Sequence, residues 1–104
     1  LTPVRERASI TVSRLSYRPA WKARPADIEL AERISLVSIE LGGPALGHAP
    51  AAGAADTNLL GTTDIAVIDG FGPRGGGAHA RSEHVLIDSL WERISLLAGF
   101  LAAD

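Results

Sequence analysis

Residues 4–15 alternate in polarity, with Ala8, Ile10 and Val12 on one face and Arg7, Ser9, Thr11 and Ser13 on the other. A period of two predicts a half-buried strand. The pattern stops at Arg18-Pro19, where proline lacks an N–H donor and holds the residue before it in extended geometry. From Pro25 the period lengthens. Ile28, Leu30, Ala31, Ile34, Val37 and Leu41 recur at helical spacing, while Glu29, Glu32, Arg33 and Glu40 fall mostly elsewhere on the wheel. This predicts a helix ended by Gly42-Gly43-Pro44, the glycine taking a left-handed cap and the proline forbidding continuation. Asp27 and Glu29 in its first turn suit the positive end of the helix dipole.

Residues 45–55 are small and irregular, with a short strand expected over Leu46 to Ala49. Asp56 is placed to cap a brief helical turn through Asn58, Leu59 and Leu60. Ile65-Ala-Val-Ile-Asp69 is a continuous apolar run, the signature of a strand buried on both faces. A glycine-rich loop follows, then an extended stretch over His84 to Ile87. Ser89-Leu-Trp-Glu92 reads as a capping box, and Leu90, Ile94, Leu97 and Leu101 form the apolar stripe of a last helix to about Ala102. This order of strands and helices predicts α/β layering. No internal repeat interrupts it.

Composition narrows the chemistry. The 104 residues suit one domain or a piece of one, and 46% apolar residues with a net charge of −2 are ordinary for a globular protein. No apolar run is long enough to span a membrane and no basic patch marks a nucleic-acid partner, since Glu6 interrupts Arg5, Arg7 and Arg14. With no cysteine, disulfides and thiolate metal sites are excluded, and His, Asp and Glu are the strong ligands that remain. The chain begins Leu1-Thr2-Pro3, contains no methionine and shows no signal-peptide pattern, which reads as a domain cut from a longer open reading frame.

The most suggestive stretch is Gly70-Phe-Gly-Pro-Arg-Gly-Gly-Gly-Ala-His79, with Glu83 four residues on. Its glycines let backbone pass close to a ligand, and it ends on an imidazole, a common metal ligand and general base. Gly70 to Gly75 also matches the dinucleotide-binding fingerprint, but no helix opens at the last glycine to meet a pyrophosphate. His48 and His84 read as surface or packing residues, and Trp21 and Trp91 as core or interface packing. Arg18, where a strand gives way to Pro19, could clamp a carboxylate through two parallel hydrogen bonds. A surface salt bridge is the simpler role for it.

Four segments together resemble one family: Tyr17-Arg-Pro-Ala-Trp21, Gly53-Ala-Ala-Asp-Thr-Asn58, Ile68 to His79 with Glu83, and Ile87-Asp-Ser-Leu through the last helix. From Tyr17 onward the chain resembles the carboxy-terminal part of the M20-type metallopeptidases. These dinuclear zinc hydrolases include glutamate carboxypeptidases, acetylornithine deacetylases and succinyl-diaminopimelate desuccinylases. The resemblance implies an α/β fold, with residues 18–104 the carboxy-terminal half of a helix-sheet-helix catalytic domain and residues 1–17 the last strand of an inserted lid. It implies that His79 ligates one of two zinc ions, with Glu83 supporting it. Arg18 and the backbone of Gly53 and Ala54 would hold the free carboxylate of a small peptide-like or N-acyl amino acid substrate.

The family's other zinc ligands and its glutamate base lie upstream, and a further histidine comes from the lid of a partner subunit. No catalytic residue is therefore expected in this chain, and the complete enzyme is expected to be a cytoplasmic homodimer that binds neither nucleic acid nor membrane. The alternative from a different class is a non-catalytic α/β interaction module that keeps this framework.

Overall fold

The computed structural model describes Thr2 and residues 4–103. Leu1 and Pro3 of the expected lid strand, and Asp104 at the other end, lie outside the described residues. Helix α1 spans Pro25–Glu40, a one-turn helix α2 spans Thr57–Leu60, strands β1 and β2 are Gly75–Gly76 and His84–Val85, and helix α3 spans Ile87–Ala102. The two long helices lie against one another. Their contact buries Ile34, Val37 and Leu96, with Leu30, Leu46, Ile68, Phe71 and Phe100 packed around them. Gly99 permits the close approach, since a Cβ there would come within 3.0 Å of Leu41 and 3.2 Å of Val37.

Helix α1 forms as its sequence predicts. Pro25 opens it at a position where the missing N–H costs nothing. Gly42, at φ +83°, closes it, and the amides of Gly42 and Gly43 return to the carbonyls of Ile39 and Ser38 at 3.0 and 2.8 Å. Asp27 does more than favour the dipole. Its carboxylate is buried and accepts the Arg24 backbone N–H at 2.8 Å, the Arg24 guanidinium at 3.0 and 3.1 Å, the Trp21 indole N–H at 3.3 Å and the Val67 backbone N–H at 2.7 Å. Arg24 also donates to the carbonyls of Thr63 and Ile65. One ion pair thus fastens the chain entering α1 to the segment at residues 63–67.

The expected strands mostly go unpaired. Residues 8–15 lie in no ladder, and every described residue through Arg18 is exposed, Val12 to 71% and Leu15 to 95%. Alternation makes a strand only where a neighbour supplies hydrogen bonds and a surface to bury against, and the described residues place none beside this stretch. Leu46 to Ala49 and Ile65 to Asp69 are likewise outside any ladder, although Leu46, Val67 and Ile68 pack inward. The sheet that does form is a two-residue antiparallel pairing, Gly75 opposite Val85 and Gly76 opposite His84. The radius of gyration is 19.2 Å, well beyond the roughly 13 Å of a compact domain of this length.

Helix α3 also turns differently from its expected orientation. It starts at Ile87, so Ser89 lies inside the first turn and does not cap it. The stripe of Leu90, Ile94, Leu97 and Leu101 stays exposed, at 37%, 56%, 43% and 73%, while Leu96 and Phe100 face α1. Apolar residues occupy nearly all sides of this helix, so periodicity alone does not choose which side meets α1. Trp91, expected in core or interface packing, is 67% exposed and so lies outside the core. No helix of the described residues is long and apolar enough to cross a membrane.

Two outcomes follow. Leu96→Ala should lower the unfolding free energy by about 2–4 kcal/mol, the usual cost of emptying a buried leucine site, as read from urea denaturation. The hydrogen bonds from the Arg24 guanidinium, and then those from the backbone amides of Arg24 and Val67, hold the Asp27 carboxyl far below its ordinary value near 3.8. A carboxyl depressed in the folded state stabilises it above the unfolded pKa, and that contribution fades as pH falls below about 4. The gap in melting temperature between the native chain and Asp27→Asn should therefore be full at pH 7 and shrink on acidification. An unchanging gap would contradict the role given to Asp27.

Candidate functional site

Two groups of residues carry the candidate chemistry, and each is positioned by a local tie. The first joins Arg18 to the loop before α2. Arg18 Nη2 donates to Asp56 Oδ1 at 2.7 Å. Beside it, Asn58 Nδ2 donates to the Pro19 carbonyl at 2.9 Å, while Asn58 Oδ1 accepts the Ala55 N–H at 2.9 Å. The Gly53 to Asn58 loop is thus tied to the Arg18-Pro19 junction, although nearly forty residues separate them in sequence.

Asp56 does not cap α2, since it has helical dihedrals and its side chain makes no cap hydrogen bond. Its carboxylate is spent on Arg18. The guanidinium is 42% exposed and the carboxylate 87%, so water screens the pair and its worth is positional more than energetic. The contact engages one nitrogen of the Arg18 guanidinium, and no other hydrogen bond from that side chain is formed among the described residues. Gly53 and Ala54, the expected backbone partners of that carboxylate, are both exposed on the same loop.

The second group is the glycine loop and hairpin. Gly75 can be no other residue in this pairing, because a Cβ would sit 2.0 Å from the His84 carbonyl oxygen. Successive turns, Ala80 N–H to Gly77 O at 2.9 Å and Glu83 N–H to Ala80 O at 3.1 Å, carry the chain around the tip. His79 sits in that tip with φ +65°, the one non-glycine residue at positive φ among the described residues. It is exposed, as is Glu83, and no hydrogen bond joins the two side chains. His84 Nδ1 lies 2.8 Å from the Ser82 carbonyl oxygen, a contact that places the proton on that nitrogen.

The root of this hairpin is held by a residue that the sequence pattern assigned elsewhere. Ser89 is fully buried, and its hydroxyl accepts the Arg74 N–H at 2.9 Å while donating to the Leu86 carbonyl at 2.6 Å. The Leu86 N–H returns to the Arg74 carbonyl at 2.8 Å. Glu92, the expected partner of Ser89 in a capping box, instead accepts from Arg74 Nη2 at 3.0 Å. A single serine thus fixes where the loop leaves α3.

A catalytic zinc ion takes three protein ligands as a rule. Among the described residues no three His, Asp or Glu side chains gather in one place. The residues present do not by themselves make a zinc site, and His79 contributes a single exposed imidazole. No known protein family, curated protein or solved structure matches the chain.

Ser89→Ala would leave the Arg74 N–H without its acceptor at a part-buried position, a loss of about 1–3 kcal/mol. Amide exchange should accelerate at Arg74 and across the hairpin, with α1 little affected. Equal acceleration in both regions would show that Ser89 supports the whole fold and not the loop.

Proposed function

We propose that this chain is the carboxylate-binding, carboxy-terminal part of a two-zinc amide hydrolase that acts on small peptide-like or N-acyl amino acid substrates, and that it is incomplete for catalysis alone. The reading rests on the resemblance of four segments to the M20-type metallopeptidases. The observation that carries it is the tie between Arg18 and the Gly53 to Asn58 loop. That tie puts a partly exposed guanidinium, with donors to spare, beside the segment expected to present backbone amides to the same carboxylate. Asp56 keeps Arg18 in place through one hydrogen bond, and Asn58 fixes the loop against Pro19.

Three tasks fall to the chain's own residues in this reading. Arg18 binds and orients the free carboxylate, the Gly53 and Ala54 backbone completes its cradle, and His79 offers one nitrogen to a metal held mainly by other segments. A zinc ion in such a site supplies Lewis acidity toward the amide carbonyl and acidifies a bound water. The complete enzyme in this reading is a cytoplasmic homodimer.

A second reading is the non-catalytic interaction module. It is favoured by the apolar stripe of α3, where Ile87, Leu90, Trp91, Ile94, Leu97 and Leu101 face outward on a helix that a self-sufficient domain would bury.

Zinc titration of the chain by calorimetry should give only weak binding that His79→Ala reduces further. Tight stoichiometric binding indifferent to that substitution would remove His79 from the site. In the product of the full reading frame, zinc-dependent release of an amino acid from N-acyl amino acids is expected. There Arg18→Ala should raise KM at least tenfold, with a smaller change in kcat. No hydrolysis, with the upstream ligands absent from the reading frame, would favour the interaction module.

A further inference from the structure

A cleft of about 790 Å³ opens over the helical layer. Its walls include Leu46 to Ala51 from one segment and Val67 to Phe71 from another, with Ile28, Ile34 and Leu96 of the two long helices behind them. Both segments rest on the same helical layer, since Leu46, Ile68 and Phe71 all pack against its core. Yet no backbone hydrogen bond joins them, and no residue of 45–54 or 64–73 makes a backbone-to-backbone hydrogen bond at all. Two stretches with strand-like sequence therefore border one apolar cleft with most of their ladder groups unspent, the exceptions in residues 46–49 and 66–70 being the N–H groups of Leu46, Val67 and Gly70, which donate to the side chains of Ser35, Asp27 and Asp69. Thr57 Oγ1 and Arg93 Nε, also on the cleft wall, are buried without a partner.

We infer that this cleft receives an extended polypeptide strand, which pairs through its backbone with the free backbone groups of residues 46–49, of residues 66–70 or of both, and lays apolar side chains on α1 and α3. The size fits. One strand residue in a packed layer takes up about 3.3 Å along the strand, about 4.8 Å between strands and about 10 Å between layers, so the cleft holds roughly five residues. A run outside any ladder, such as Ala66 to Asp69 with only the Val67 N–H engaged, is a template for such addition. A small apolar ligand would fill the volume but leave the free backbone groups on both walls without partners. The inference does not rest on a hydrolytic role, because an interaction module would use the same slot.

The test uses the chain with the synthetic peptide acetyl-Lys-Val-Thr-Val-Ile-Val-Lys-amide and with a copy N-methylated at alternate residues, which keeps the side chains but loses ladder donors. Hydrogen exchange of the chain should slow at residues 47–49, at 68–69 or at both when the first peptide is added, and the methylated copy should bind at least tenfold more weakly by calorimetry. Ile68→Pro, which deletes a ladder donor, and Ala31→Leu, which narrows the cleft from α1, should both weaken the first peptide, with folding of each variant checked by circular dichroism. Equal binding of the two peptides, or no binding at millimolar concentration, would overturn the proposal. Protection of these residues that rises with chain concentration in the absence of peptide would also overturn it, by assigning the slot to a second copy.

Discussion

The carboxylate of Asp27 is the buried tie between the entry to α1 and the segment at residues 63–67. It is buried, and it is tolerated there because hydrogen bonds from Arg24, Trp21 and Val67 surround it. Removing one member of such a cluster leaves a charge or a donor unsatisfied in a place that water reaches poorly. Arg24 extends the same cluster to the carbonyls of Thr63 and Ile65, and Trp21 packs its ring where Gly61 leaves room. The entry to α1, the turn after α2 and the inward-packed Val67 therefore stay together or part together. Both sites discussed above depend on this. Arg18 lies just before Trp21 on one arm of the cluster, and the cleft wall at residues 67–71 begins on the other.

Much of the helical structure was legible in the sequence. The spacing of Ile34 and Val37, the proline at the start of α1 and the left-handed glycine after it are local signals, and the chain obeys them. The strands were legible only as tendencies. Ile65 to Asp69 has the composition of a strand buried on two faces, but a ladder needs a neighbour, and among the described residues none lies alongside. Helix α3 shows a related limit. With apolar residues on nearly every side, its contact face is decided by the Ser89 latch and by Gly99 against Val37 and Leu41, neither of which a hydrophobic stripe reveals.

The candidate site divides in the same way. That Arg18 and the Gly53 to Asn58 loop lie together was legible only as an expectation of the resemblance, and the hydrogen bonds that join them are made by Asp56 and Asn58 and not by Gly53 or Ala54. The part played by Asp56 was not, because an aspartate before a helical turn reads as a cap. Ser89 shows the same ambiguity: serine followed three residues later by glutamate is the usual capping signature, and here each takes a different partner. Asp27 gave no signal beyond its place in a first helical turn, since what makes it important is Val67, forty residues away. For His79 the structure shows an exposed imidazole in left-handed backbone just after the glycine run, and among the described residues nothing joins it to further ligands.

The claim that Asp27 organises both halves is tested most directly by native-state hydrogen exchange at the amide of Val67, which the Asp27 carboxylate accepts at 2.7 Å. The account predicts that this amide is protected in the native chain. In Asp27→Ala it should exchange far faster, while amides in the middle of α1 and α3 keep most of their protection. Unchanged exchange at Val67 in that variant would contradict it, since the segment at residues 63–67 would then be held by something other than the buried carboxylate.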